Sequence, residues 1–240
     1  MIEMTLATPL STAFTLALLV GLALVALPAE RAEAKKGEAT ADAKIADVTL
    51  LREEEKLARD VYLTLHKRWG LQIFDNISRS EQRHMDRMQS LLASYGAPDP
   101  VKSDEVGAFT NPELAALYKK LTRQGEKSEK EALLVGATIE DLDIRDITAM
   151  KKRTSASEAL DAFDKLLCGS RNHMRAFTRQ LAARGVVYEA HYISAAELAA
   201  IIEGNHERCG RMGPGQGRGG QGDGTGSHRC GSQCNCDRGN

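Results

Sequence analysis

The sequence predicts an all-α protein: four long helices packed as a bundle, a long connection between the second and third that carries a short helix, and a small C-terminal helix. Three observations predict it. Residues 48–203 are rich in Ala, Leu, Glu, Lys and Arg, which are helix formers. Helix caps punctuate that stretch, and few of its runs alternate as strands do.

The elements follow from the caps. Helix A is expected at about 48–68 and helix B at about 71–95, with Gly70 and Gly96 at their ends. Asn111-Pro112 sets a capping residue before a proline at the first helical position, so a short helix is expected at 112–123. Ser128-x-x-Glu131, Ser155-x-x-Glu158 and Ser194-x-x-Glu197 read as capping boxes. They open helix C (about 128–150), helix D (about 156–183, with Gly185 beyond it) and a small helix at 194–203. Four amphipathic helices with one long crossover describe a bundle.

The two ends differ from this middle. Leu10 to Leu27 is an apolar run followed by Pro28 and by Ala32-Glu33-Ala34, an A-x-A cleavage pattern. Residues 1–34 are therefore expected as a signal peptide and 35–47 as a flexible linker, which implies a periplasmic or secreted protein. The alternative is a membrane anchor formed by residues 10–27. Residues 204–240 hold 12 of the 21 glycines and four of the five cysteines, and are expected as a disordered tail. Its His206, Cys209, His228, Cys230, Cys234 and Cys236 suit either a thiophilic metal or, in an oxidising compartment, two disulfides; the second is favoured.

Composition and motifs exclude several functions. A net charge of −1 argues against binding a phosphate backbone, and few aromatics are present to stack bases. No phosphate-binding glycine loop, dinucleotide fingerprint or serine-nucleophile elbow occurs. Metal ions are the expected partners, with no nucleic acid and no membrane unless the leader stays uncleaved. A homo-oligomer is compatible with the sequence but not readable in it.

The inward seams carry the chemistry. Helix A turns in Leu51, Glu55, Ala58, Tyr62 and Leu65; helix B turns in Ile77, Glu81, His84, Met88 and Leu91. Helix C gives Leu133, Gly136, Glu140, Asp143 and Ile147, and helix D gives Leu166, Ser170, His173 and Phe177. Every seam thus has polar or ionisable groups at its middle, where a lone buried carboxylate costs several kcal/mol. Cations would remove that cost, and Glu with Glu-x-x-His is how bundles hold two iron or manganese ions. Heights agree. The midpoint of Glu55 and Glu81 is residue 68, beside one turn, and that of Glu140 and His173 falls beside the Thr154-Ser155 turn.

Glu55-x-x-Ala58-x-x-Val61-Tyr62 resembles the first ligand helix of ferritins, and Glu81-x-x-His84 the second. The strings Arg52-Glu53-Glu54-Glu55-Lys56-Leu57-Ala58-Arg59-Asp60-Val61-Tyr62, Ser80-Glu81-Gln82-Arg83-His84-Met85 and Gly169-Ser170-Arg171-Asn172-His173 resemble an uncharacterised bacterial and archaeal family, domain of unknown function 2202, of the ferritin-like superfamily. The resemblance covers roughly residues 50–203. It implies a ferritin-like bundle in which Glu55 is a terminal ligand, Glu81 bridges, His84 completes the first metal, and Glu140 and His173 serve the second. Ser170 stands where such proteins commonly carry another glutamate. Asp143, one turn from Glu140, is the expected substitute; without it the second site is weak or empty. The expected chemistry is oxidation of Fe(II) or reduction of oxygen or peroxide, with no catalytic residue assigned. Two alternatives are a metal-free helical module that binds a partner, and an inert bundle whose tail scavenges metal.

Other side chains have plainer expectations. Glu81 and His84 alone could be a hydrogen-bonded pair tied to Arg171 or Arg175. Glu53 and Glu54 are expected as solvated first-turn carboxylates, with Glu54 a ligand only if the register slips. Asp60 and Asp146 should pair along their own helices. Tyr62 is expected as core filler, Cys168 as a small buried hydrophobe, and His66 and His191 at the surface.

Overall fold

The computed structural model describes residues 29–210, and they form six α-helices and no strand. These are α1 (Ala29–Trp69), α2 (Gln72–Ser94), α3 (Pro112–Gly125), α4 (Glu129–Arg153), α5 (Ser157–Ala182) and α6 (Ala195–Glu203). The chain divides into Met1–Ala41 and Asp42–Asn240, and the side-chain contacts and the site described below lie in the second unit. The apolar run 10–27 and the tail residues His228, Cys230, Cys234 and Cys236 lie outside the described residues. No described helix is long and apolar enough to cross a membrane.

Most elements start and stop where their caps predict. Asn111, Ser128 and Ser194 each accept a backbone N–H of the first turn, from Glu113, Glu131 and Glu197. Gly70, Gly96 and Gly185 take the positive φ that lets a helix end tightly. Two expectations fail. Ser155 does not cap α5: the cap position is Ala156, whose N–H is accepted by the Thr154 hydroxyl instead. Residues 35–47, expected as a flexible linker, belong to α1; seven of the thirteen are Ala or Lys, which favour helix.

Helix α5 is central. It packs on α2, α4 and α6, while α3 lies on α4. Side chains of α1 reach the same interior: Tyr62 of α1, Phe74 of α2 and Phe177 of α5 form one aromatic cluster with ring centroids 5.4–6.0 Å apart. Gly136 of α4 makes room for it, since a Cβ there would lie 2.3 Å from Phe177 Cε1.

The connection from α2 to α3 is strapped onto the outer face of α1. Arg52 donates twice to Asp99, Lys56 Nζ donates to the Glu105 carbonyl (2.8 Å) and Arg59 to Asp104 (2.6 Å). Glu53 accepts the Thr110 N–H at 2.6 Å, and Asp60 accepts that of Gly107. Glu53 is therefore buried, not solvated: the strap covers the turn of α1 that a lone helix would show to water. Asp60 does pair along its helix, with Lys56 and Arg59, and Asp146 pairs with Arg145.

The start of the tail is also fixed. Cys168 and Cys209 form a disulfide, so Cys168 is not merely a small core residue and Cys209 does not pair within the tail. Glu207 accepts from Arg171 and Arg175, and its backbone exchanges two hydrogen bonds with the Asn172 side chain. The Arg171 guanidinium holds the Glu207 carboxyl down to about 2. These contacts overcome the glycine entropy that argued for disorder from residue 204. Closing a loop of this sequence separation (41 residues) contributes about 2–4 kcal/mol.

Candidate metal centre

Glu55, Glu81, His84, Glu140 and His173 converge from α1, α2, α4 and α5. Each is almost wholly buried; His173, 7% exposed, is the most open. They form two triads, Glu55–Glu81–His84 and Glu81–Glu140–His173. Within each, one ligand atom per residue lies within 4.8 Å of the others. Glu81 belongs to both. Its Oε2 lies 2.7 Å from His84 Nδ1 and its Oε1 lies 2.8 Å from His173 Nδ1.

Local sequence explains why these atoms meet. The i, i+3 spacing puts Glu81 and His84 on one face of α2. His84 Nδ1 also lies 3.0 Å from Glu55 Oε2, across the Gly70 turn. On the far side, His173 Nδ1 faces Glu140 Oε2 at 3.4 Å. Tyr62 donates from its hydroxyl to Glu140 Oε1 at 2.6 Å, leaving Oε2 directed at the imidazole. Tyr62 is thus more than core filler: two turns from Glu55, it orients a carboxylate of the site.

Ionisation follows from burial and these contacts. Burial pushes the Glu55 carboxyl up to about 8, against the pull of His84. Burial likewise raises Glu140, and it raises Asp143 well above the usual carboxylate range with help from Glu55, Glu140 and Glu81. Burial also opposes ionisation of Glu81, but the charges of His173 and His84 outweigh it and hold Glu81 well below that range. His84 is the mirror case. Burial disfavours its charge, Glu55 and Glu81 favour it more, and its value rises to about 9. His173 rises for the same reason, through Glu81 and Glu140.

Several polar atoms of these residues have no hydrogen-bond partner among the described residues. These include Glu55 Oε1, Glu81 Oε1, Glu140 Oε2 and His173 Nδ1. The Glu81 Oε1 and His173 Nδ1 atoms are 2.8 Å apart, without the alignment of a hydrogen bond. Buried polar atoms seldom stay unpaired.

The remaining expected residues are placed as follows. Asp143 is buried near the centre but belongs to neither triad. Ser170 spends its hydroxyl on the Leu166 carbonyl of its own helix. Arg171 and Arg175 hold Glu207, not Glu81 or His84. Glu54 is not solvated: it is buried, its Oε2 is partnerless, and burial pushes its carboxyl up to about 7. His191 is exposed and His66 half-buried, its Nδ1 near the Leu71 carbonyl. Asp141, which no motif marked, staples the loop after α5 by accepting from Tyr188 and from the N–H groups of His191, Tyr192 and Ile193.

Gly169 is the residue that sequence reasoning missed. A Cβ there would lie 2.5 Å from His84 Nε2, so only glycine lets α5 pass the imidazole. An interior helix glycine, costing about 1 kcal/mol relative to alanine, is the signal that such a packing reason exists. Gly169→Ala is expected to push the His84 ring aside, lowering Tm and weakening any ion held by Glu55 and His84 while sparing the other triad. Metal titration of the purified variant checks this.

The chain belongs to the family described as uncharacterized protein domain DUF2202, whose model matches residues 44–205. It is similar to the uncharacterized protein MJ0754 of Methanocaldococcus jannaschii, with 54% identity over 158 residues, which is 66% of this chain and 85% of the relative. It is also similar to the crystal structure of the hypothetical protein MJ0754, at 52% identity and a TM-score of 0.67, covering 68% of this chain and 93% of that one.

Proposed function

We propose that the chain is a ferritin-like four-helix bundle, formed by α1, α2, α4 and α5, that holds a dinuclear iron or manganese centre. The observation that carries this reading is Glu81, a buried carboxylate whose two oxygens each face the Nδ1 of a different histidine. Carboxylate and imidazole donors without thiolate suit iron and manganese. The first ion would be held by Glu55, Glu81 and His84, and the second by Glu81, Glu140 and His173. Asp143 supplies a fourth carboxylate, so two divalent ions would balance the charge of Glu55, Glu81, Glu140 and Asp143.

The chemistry such ions supply is electron exchange with Fe(II), oxygen or peroxide. The chain's own part is to exclude water and place protons. Tyr62, raised well above its ordinary value by burial and then by Glu140, keeps its proton and presents it to Glu140 Oε1. The leader pattern and the Cys168–Cys209 disulfide together support export to an oxidising compartment. A metal-free hydrogen-bond network has the His84–Glu55 bond in its favour. It leaves the partnerless atoms of Glu81, Glu140 and His173 unexplained.

Elemental analysis of protein purified without chelator or metal-binding tag tests the proposal. About two iron or manganese ions per chain are expected. Absence of both, even after anaerobic loading with Fe(II) or Mn(II), would refute it.

A further inference from the structure

A cavity of about 500 Å³ opens between α2, α5 and residues 206–210. His173, the most exposed of the five converging side chains, lies in its wall beside Gly169. Facing it are Arg83 from α2, Arg179 from α5, and His206 and Arg208 from the C-terminal segment. Among the described residues the one carboxylate in the lining, Glu207, is already engaged by Arg171 and Arg175. Arg83 and Arg179 donate to backbone carbonyls of their own helices, and neither has a carboxylate partner among the described residues. For a chain with a net charge of −1, this is a local excess of positive charge rather than a general background.

The third wall is built, not draped. The disulfide from Cys168 to Cys209 and the two bonds between Asn172 and Glu207 fix residues 207–209 on α5. Arg208 is therefore carried on an anchored segment at the rim. Guanidinium groups match the planar or tetrahedral oxygens of oxyanions, and the volume suits a small molecule rather than a chain.

We propose that this cavity binds a small oxyanion of the phosphate or carboxylate class, gripped by Arg83, Arg179 and Arg208 beside the His173 end of the candidate centre. The site goes beyond the dinuclear reading and does not depend on it, because the arginines keep their charge in metal-free protein.

The test is isothermal titration calorimetry of the full, metal-stripped chain with inorganic phosphate and, separately, succinate. One saturable site per chain is expected for at least one anion. Arg83→Ala and Arg179→Ala should each weaken it about tenfold, as loss of a charge-assisted hydrogen bond does. Arg123→Ala, outside the cavity, should leave it unchanged. The anion that binds more tightly identifies the ligand class. Because the titrated chain carries no metal, this result stays separate from the fate of the metal proposal. No saturable heat with either anion, or heat unaltered in the Arg83→Ala/Arg179→Ala double variant, would overturn it. Tighter binding of a single-stranded oligonucleotide than of either small anion would overturn it too.

Discussion

Glu81→Ala is expected to abolish binding of both ions, whereas Glu55→Ala and His173→Ala should each abolish one. The asymmetry follows from geometry. Glu81 is the residue shared by the two triads, with one oxygen turned to each histidine. Ligand binding stabilises the folded state by mass action, about 2.7 kcal/mol at a free concentration a hundred times the dissociation constant. For a chain of this size, about 2–4 °C of Tm accompanies each kcal/mol, so each ion should raise Tm by roughly 5–10 °C. Scanning calorimetry with and without Mn(II) measures this. The parent should show the full shift, Glu55→Ala and His173→Ala about half, and Glu81→Ala none. A hydrogen-bond network makes the opposite prediction: Glu81→Ala would then lower Tm as much without metal as with it. Equal losses in the two conditions would therefore sink the metal reading.

The five converging residues were legible because they sit in apolar seams. A carboxylate at Glu55, Glu81 or Glu140 breaks a helical stripe that is otherwise Leu, Ile, Ala and Phe, and burial makes that break costly unless something compensates. The distance of each residue from its turn then fixed which pairs share a level. What was not legible depends on segments far apart in sequence. Glu53 reads as a solvated carboxylate near the start of the expected helix A, but α1 begins at Ala29 and the strap at Thr110 covers Glu53. Nothing local to Cys168 distinguishes a core thiol from half of a disulfide whose other half lies beyond α6. Tyr62 has the spacing of any core residue, and its hydrogen bond to Glu140 depends on how α1 and α4 are rotated.

The family strings now have a physical division of labour. In 52–62, Glu55 and Tyr62 face the centre, whereas Arg52, Glu53, Lys56, Arg59 and Asp60 hold the strap. In 169–173, Gly169 clears the His84 ring, His173 reaches Glu81, and Arg171 and Asn172 anchor Glu207. A pattern that reads as one motif is therefore two: a centre, and the clamps that close the fold around it.

In metal-free protein, stability is expected to fall as pH rises from about 5 to 9, and metal should reverse that trend. The folded chain binds more protons than the unfolded chain across this window. Glu55 titrates near 8 and His84 near 9 when folded, against ordinary values of 4.5 and 6.5. Asp143, Glu140 and His173 are displaced in the same direction. For the histidines, the stabilisation is complete below 6.5 and disappears as pH passes the folded value. For the raised carboxyls, folding becomes progressively less favourable above 4.5, where the unfolded groups ionise freely. Glu81 is displaced the other way, but its stabilisation is lost only below about 4.5, outside the window. A tenfold change in proton affinity on folding corresponds to about 1.4 kcal/mol, so the summed effect amounts to a few kcal/mol. Bound ions demand the deprotonated ligands, so metal affinity should climb over the same range with release of protons. Tm measured from pH 5 to 9 with chelator and with Mn(II) should give two curves that diverge steadily. Parallel curves would mean that the protons and the metal do not compete for Glu55, His84 and His173, and that these residues are not the ligands.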